Sequence, residues 1–327
     1  MRVLVHGTGS IGMRHLDVLR RRLGVETVAL PTRPERADAP ELREHHPVRS
    51  YAEARALGVT AAIIATDTGR HLADATAAIE AGCDVLVEKP LAAQARGVSE
   101  LAALASREKR AVYVAQNLRF LESLIAARNE LPRLGAIHSV RIECQSYLPD
   151  WRPGSDFRRC YSARQEDGGV LRDLVHEIDY GCWLFGRPSS VFAVTNRGVL
   201  GIEAEEEADI LWRSRAATVS FRLDYVSRIS RRRFHAVGEN GHVEWDGLSN
   251  AVTVGLVGRA AEVVPHPMER DEMMAAQARA FLLAIQNGSP GGLATLDEGA
   301  FAVAVIDAVK RSASDGMPAS VLDWRDA

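Results

Sequence analysis

Three lysines, Lys89, Lys109 and Lys310, stand among 40 basic residues that are otherwise all arginine. A bias that strong turns a replaceable lysine into arginine, so each survivor is a candidate for chemistry. Lys89 follows the apolar run Cys83-Asp84-Val85-Leu86-Val87 and sits in the tripeptide Glu88-Lys89-Pro90. A compact ammonium at the end of a buried strand is a point donor for a developing oxyanion. The planar guanidinium of arginine, with its higher pKa, does not replace it. A surface ion pair with Glu88 is the plain alternative.

A second group follows Gly168-Gly169: Asp173, His176 and Asp179 recur every third residue. The stretch from Gly169 to Phe185 reads as one helix, which puts the three on one face. A histidine between two carboxylates suits general acid–base work, because it titrates near neutrality and an aspartate orients its ring. Either Asp173 or Asp179 could be that aspartate. The flanking Leu174, Val175 and Ile178 mark a buried helix, which disfavours a solvated ion-paired face. One histidine is a thin ligand set, so no metal is expected. Upstream, Arg152, Arg158, Arg159 and Arg164 are interleaved with Trp151 and Tyr161. Guanidinium forks grip carboxylate or phosphate in two-pronged fashion, and aromatic rings stack on sugar faces. Arg152, Arg158, Tyr161 and Asp179 are therefore candidate contacts to a sugar-like, anionic small molecule. A loop clamp across the sheet is the competing reading.

The chain opens on the apolar strand Arg2–His6, then Gly7-Thr-Gly9-Ser10-Ile11-Gly12 and an amphipathic helix with Leu16 and Leu19. In a G-x-G-x-x-G loop the first glycine turns the chain and the second admits a pyrophosphate. The third packs helix on strand, and the helix start at Ser10 and Ile11 faces the anion. The fingerprint counts because strand and helix flank it.

These groups need elements to hold them. Strands at 25–30, 60–65, 84–87 and 111–115 alternate with helices at 71–81 and 99–108. That pattern predicts a parallel sheet covered on both faces, with ligands beyond the carboxyl ends of its strands. The Gly loop, Thr66-Asp67, Lys89 and Gln116-Asn117 all fall at such ends. After residue 120 the pattern becomes alternating segments at 136–145, 191–195, 207–212, 217–223, 234–237, 242–245 and 251–257, with a hairpin turn at Gly238-Glu239-Asn240-Gly241. Helices are expected at 269–287 and 297–312. The expected architecture is α/β. A doubly wound Rossmann domain spans 1–120. An α+β domain with a large, open, mostly antiparallel sheet spans 121–327, and its last helices could pack back on the first domain.

At 46% hydrophobic and 25% charged, the composition is that of an ordinary globular protein, and a net charge of −3 gives no electrostatic case for nucleic acid or an acidic membrane. Arg20–Arg22 reads as a helix end and Arg231–Arg233 as a solvated strand or loop. The cysteines, Cys83, Cys144, Cys160 and Cys182, form no C-x-x-C pair, so reduced thiols and a cytoplasmic location are expected. No apolar run spans a bilayer, and the opening residues read as a strand, with no signal peptide.

In this order, the Gly7/Gly9/Gly12 loop, Glu88-Lys89-Pro90 and Gly168-Gly169…Asp173…His176…Asp179 resemble the glucose–fructose oxidoreductase / inositol dehydrogenase / rhizopine catabolism (Gfo/Idh/MocA) family over essentially the whole chain. Ala65-Thr66…His71 and Gly238-x-x-Gly241 are similar too. The resemblance implies a two-domain oxidoreductase with its active site between the nicotinamide domain and the second sheet. It implies a lysine and a His–Asp pair (Lys89, His176, Asp173) at the reacting carbon, and a homodimer or homotetramer formed through that sheet. Cofactor contacts are expected from Gly7, Gly9, Ser10, Ile11, Gly12, Thr66, Asp67, His71, Glu88, Lys89 and Gln116. Two features depart from the pattern. Many members space the aspartate and histidine four apart, here three. The acidic residue after the second strand is replaced by Pro31-Thr32-Arg33, and an arginine there suits a 2′-phosphate, so NADP is favoured with NAD possible. The expected reaction is hydride transfer to or from a secondary alcohol or ketone of a sugar, cyclitol or sugar acid. The alternatives are a glycosidase or epimerase that retains its cofactor with no net redox change, and a non-catalytic NADP-binding regulator.

Overall fold

The computed structural model describes residues 1–326. The chain forms two units: residues 1–117, 270–300 and from Trp324 on, and residues 118–269 with 301–323.

In the first unit, β1 (Arg2–His6), β2 (Glu26–Leu30), β3 (Ala61–Ile64), β4 (Asp84–Val87) and β5 (Val112–Val114) are parallel. They are covered by α1 (Ser10–Asp17), α2 (Tyr51–Ala56), α3 (His71–Glu80) and α4 (Val98–Glu108). The sheet order is β14-β5-β4-β3-β1-β2, with β14 (Ala294–Thr295) antiparallel to β5. Strand order reverses at β1, the crevice where such sheets take ligands. Val3, Leu4, Val5 and Ala61 to Ile64 are fully buried, as unbroken apolar runs in a sheet covered on both faces must be. Gly82, in the left-handed region at φ 88°, ends α3 and donates its N–H to Ile79 O at 2.8 Å. The helix α8 (Arg270–Asn287) lays Met274 and Ala275 against Val18, Ile11 and Leu23.

The second unit holds a nine-stranded sheet in the order β13-β12-β11-β10-β6-β9-β8-β7-β15. Its strands are β6 (Ile137–Tyr147), β7 (Ser190–Asn196), β8 (Glu207–Arg213), β9 (Thr218–Asp224), β10 (Val226–Gly238), β11 (Gly241–Asp246), β12 (Ala251–Leu256), β13 (Glu262–Pro265) and β15 (Ala319–Ser320). All neighbours are antiparallel except β6 and β9. The hairpin at Gly238–Gly241 joins β10 to β11. Alternation along β7 and β8 buries Val191, Ala193, Ile210 and Trp212 and leaves Phe192, Val194 and Leu211 outward. The helices are α5 (Glu122–Glu130), α6 (Val170–Asp173), α7 (Val175–Phe185) and the later part of α9 (Leu296–Asp315). On α7, Gly181 lies so close to the sheet that a Cβ would sit 2.8 Å from Phe221 Cζ.

Two expectations are corrected. The stretch 169–185 is two helices, broken at Leu174 with φ −97° and ψ 29°. No Gly or Pro marks the break. It accompanies a tertiary contact, the Tyr225 hydroxyl on Asp173, that local sequence does not show. The three polar residues therefore do not share one helix face. Second, Arg231–Arg233 is not simply solvated. Arg232 turns inward from β10 to pair with Glu177, which is 0% exposed.

The four cysteines are free, and burial pushes the Cys144 thiol up to about 12. No described helix is long and apolar enough to cross a membrane.

Candidate functional site

In the first unit the glycine loop is shaped by close approach. Gly7, at φ 101°, would place a Cβ 2.4 Å from Ala65 O, and Gly12 would place one 1.9 Å from Gly7 O. Neither position admits a side chain. Gly9 differs: a Cβ there meets nothing within 4 Å, so the space over the loop is open. Gly9 is also the N-cap of α1, with no side-chain cap and no acidic residue in the first turn. The helix start is therefore left free of competing carboxylates, and the residues present fit a pyrophosphate.

The neighbouring strand ends carry the other candidates. Thr66 follows β3, and its hydroxyl is buried without a hydrogen-bond partner among the described residues; Asp67 beside it is exposed. His71 fastens two loops: its Nδ1 lies 2.7 Å from Pro90 O and its Nε2 3.1 Å from Thr66 O. Burial holds its pKa below the ordinary value, against the raising effect of those two carbonyls. Glu88 Oε1 lies 2.8 Å from His15 Nε2, and Oε2 accepts the Lys89 N–H at 3.1 Å. Burial pushes the Glu88 carboxyl up, but the contacts with His15 and Lys89 outweigh it and hold it below its usual range. His15 was not singled out in the sequence, yet it ties α1 to the segment carrying Lys89. Its only signal is a histidine on the helix face it shares with the apolar Ile11. Lys89 is half-buried, and its peptide bond to Pro90 is cis. Gln116 is buried after β5. Arg33 is exposed just beyond β2 and no ion pair or side-chain hydrogen bond holds its guanidinium among the described residues.

In the second unit, Asp173 ends α6 and accepts from the Tyr225 hydroxyl at 2.5 Å. Tyr161 is hydrogen-bonded to the same carboxyl. Burial first, and then the Asp173 charge, push both phenols well above their usual pKa. Both remain protonated donors to the Asp173 carboxyl. His176 is the second residue of α7 and is 8% exposed. Its neighbour Glu177 is clamped by Arg232 Nε at 2.9 Å. Asp179 receives both prongs of Arg119, Nε at 2.9 Å and Nη2 at 2.7 Å, with each side chain 4% exposed. Arg119 in turn lies over the Trp183 ring at 5.4 Å. The structure thus brings Tyr161 to Asp173 and commits Asp179 to an arginine. Gly168 makes the first contact feasible, since a Cβ there would sit 2.1 Å from Tyr161 O. Arg152 and Arg158 are exposed; Arg152 lies over the Tyr161 ring at 5.5 Å and Arg158 over Phe157 at 4.5 Å.

Comparison with known proteins gives the family and the fold. Residues 1–116 match the family described as "Oxidoreductase family, NAD-binding Rossmann fold", and residues 129–244 match the "GFO/IDH/MocA C-terminal domain". A myo-inositol dehydrogenase of Streptomyces leeuwenhoekii is 29% identical over 304 residues, covering 88% of this chain and 89% of that protein. Among solved structures, a levoglucosan dehydrogenase in complex with NADH and levoglucosan superposes with a TM-score of 0.86 at 20% identity, covering 98% of this chain and 99% of that one. A UDP-N-acetylglucosamine 3-dehydrogenase from Acidithiobacillus ferrooxidans gives a TM-score of 0.82 at 22% identity, over 96% and 98% of the chains. At such identities the likeness to the solved structures is one of fold.

Proposed function

The chain belongs to the Gfo/Idh/MocA family of oxidoreductases, and from that premise we propose that it is an NAD(P)-dependent dehydrogenase of a secondary alcohol on a sugar, cyclitol or sugar acid. The observation that carries the reading is the His15–Glu88 contact. It ties the helix behind the open glycine loop to the loop bearing Lys89, beyond the carboxyl ends of β1 and β4, so an anion site and an ammonium lie at the same end of one sheet. Bound nicotinamide supplies the hydride acceptor or donor. Lys89 donates a hydrogen bond to the reacting oxygen and stabilises its developing charge. His176 takes the hydroxyl proton in oxidation and returns it in reduction. Asp173, which accepts from two phenols, faces the imidazolium that forms. Asp173, the aspartate of the His–Asp pair, is assigned to orient His176, while Asp179 is held by Arg119. Arg152, Arg158 and Tyr161 are assigned to the substrate, and their two guanidinium groups favour an anionic one. Arg33, exposed and without an ion-pair partner, is assigned to a 2′-phosphate, so NADP is the preferred cofactor. A homodimer or homotetramer would cover the outward Phe192, Val194 and Leu211.

The test is a dehydrogenase screen across sugars, cyclitols and sugar acids with both cofactors, run beside His176→Asn. Oxidation by the wild type should rise with pH through an apparent pKa between about 6 and 8, because the base must be neutral. The variant should bind cofactor normally and lose turnover across that range. An unchanged pH profile in His176→Asn would move the proton to another group.

A further inference from the structure

Where the first helix ends, a group of side chains is left without a task by the proposed reaction. Asp17 closes α1, and Glu44-His45 closes the short helical turn Pro40–His45 that follows β2. One ligand atom from each of the three lies within 4.8 Å of the other two. His45 is 1% exposed. Its Nδ1 is 2.8 Å from the Thr27 hydroxyl, on a fully buried residue of β2. Its Nε2 is buried, has no hydrogen-bond partner among the described residues, and points at Glu44 Oε1 from 3.9 Å.

Neither neutral tautomer satisfies that nitrogen. As an N–H it is beyond hydrogen-bond reach of Glu44. As a lone pair it faces two carboxylates. A cation resolves the conflict, because all three atoms then become donors to one centre. We propose that Asp17, Glu44 and His45 form a binding site for a divalent transition-metal cation of the zinc class, joining the end of α1 to the turn after β2.

The chemistry of the set fits. Imidazole nitrogen and carboxylate oxygen are both zinc donors, and here, unlike at His176, the histidine nitrogen is buried with no hydrogen-bond partner among the described residues. Magnesium and calcium prefer all-oxygen sites and do not seek an imidazole. Thr27 supplies the outer contact such a histidine needs: with Nδ1–H donated to the hydroxyl, Nε2 carries the lone pair. The competing charges are Arg21, 3.2 Å from Asp17 and 3.4 Å from Glu44, and Arg20, 3.3 Å from Glu44. Their side chains are 66% and 43% exposed. Surface pairs of this kind are weak, so the arginines hold the carboxylates in place and yield to a divalent ion.

The experiment uses the full chain without an affinity tag, stripped with a chelator and titrated with cobalt(II) and then zinc(II). One equivalent of cobalt should develop a visible ligand-field band, zinc should displace it, and zinc should raise the melting temperature where magnesium does not. Glu44→Gln and Asp17→Asn change half-exposed residues and should fold, and each should weaken binding at least as much as the outer-contact variant. Thr27→Val should weaken it by about 10-fold or more, the usual effect of losing that contact. The proposal is overturned if cobalt gives no band and zinc no heat, or if Glu44→Gln and Asp17→Asn bind as the wild type does. It is equally overturned if binding disappears in His242→Ala, which would place the ion on the half-buried His235–His242 pair instead.

Discussion

The two units hold their buried carboxylates with partners of opposite kind. In the first, Glu88 meets His15, a partner whose charge depends on pH. In the second, Glu177 and Asp179 meet Arg232 and Arg119, whose charges do not. The first lock joins a helix to a loop beside the proposed anion site. The second locks pin a helix inside the core of its unit. The difference teaches that burial of a charge is compatible with either a responsive or a permanent partner. It also predicts different failures when the partners are removed.

The largest effect is expected in the second unit. Arg119→Ala removes both guanidinium contacts from the buried Asp179 and should cost about 3–5 kcal/mol. Arg232→Ala should cost less, because the Arg232 side chain is 25% exposed where that of Arg119 is 4%. Urea denaturation of both variants checks the order; equal losses would remove the distinction. The next effect is kinetic and belongs to the first unit. Lys89→Ala should lower turnover by about 10²-fold, as for loss of a transition-state donor, while cofactor affinity measured by fluorescence titration stays near wild type. Smaller again is Arg33→Ala, which should narrow the preference for NADPH over NADH by about 1–3 kcal/mol, the scale of a hydrogen bond to a charged group. Tighter NADH than NADPH binding by the wild type would refute that assignment outright.

The smallest effect separates the locks by pH. The folded-state pKa of Glu88 is lowered, so its stabilisation is complete above the unfolded value, about 4.5, and is lost as pH falls below it. His71, whose folded pKa is also lowered, works in a higher window. The folded chain prefers its neutral ring, so its contribution is full above about 6.5 and declines as pH drops from there. Melting temperatures followed from about pH 7 to about pH 3 should therefore fall in two stages. Glu88→Gln should flatten the lower stage and leave the upper one. If both variant and wild type fall identically, the Glu88–His15 lock carries no pH dependence.

What could be read without coordinates follows the same division. The glycine loop and the strand ends were legible because their signals are local: an apolar run, a turn, a polar residue. Strand β4 at 84–87 and the Gly238–Gly241 hairpin needed only neighbouring residues. The locks were not legible, because each partner is distant in sequence. His15 and Glu88 are 73 residues apart, Arg119 and Asp179 are 60, Arg232 and Glu177 are 55, and Tyr225 and Asp173 are 52. For the same reason the break at Leu174 was missed. The early half of β10 was missed on other grounds. Val226 to Arg231 is mostly exposed and polar, so it carries no alternation to detect.

The two arginine clamps on α7 have a consequence for how the chain finds its fold. Glu177 and Asp179 are two residues apart, hence about 200° apart around the helix axis. Their partners therefore grip the helix from nearly opposite sides. Sliding α7 by one turn, or rolling it on the sheet, would still bury apolar side chains, since Val175, Ile178, Tyr180 and Phe185 offer several greasy faces. It would also strand two carboxylates and two guanidinium groups at once. Hydrophobic burial alone would tolerate many seatings of this helix. The paired charges leave one that is inexpensive, and they do so by penalising its competitors.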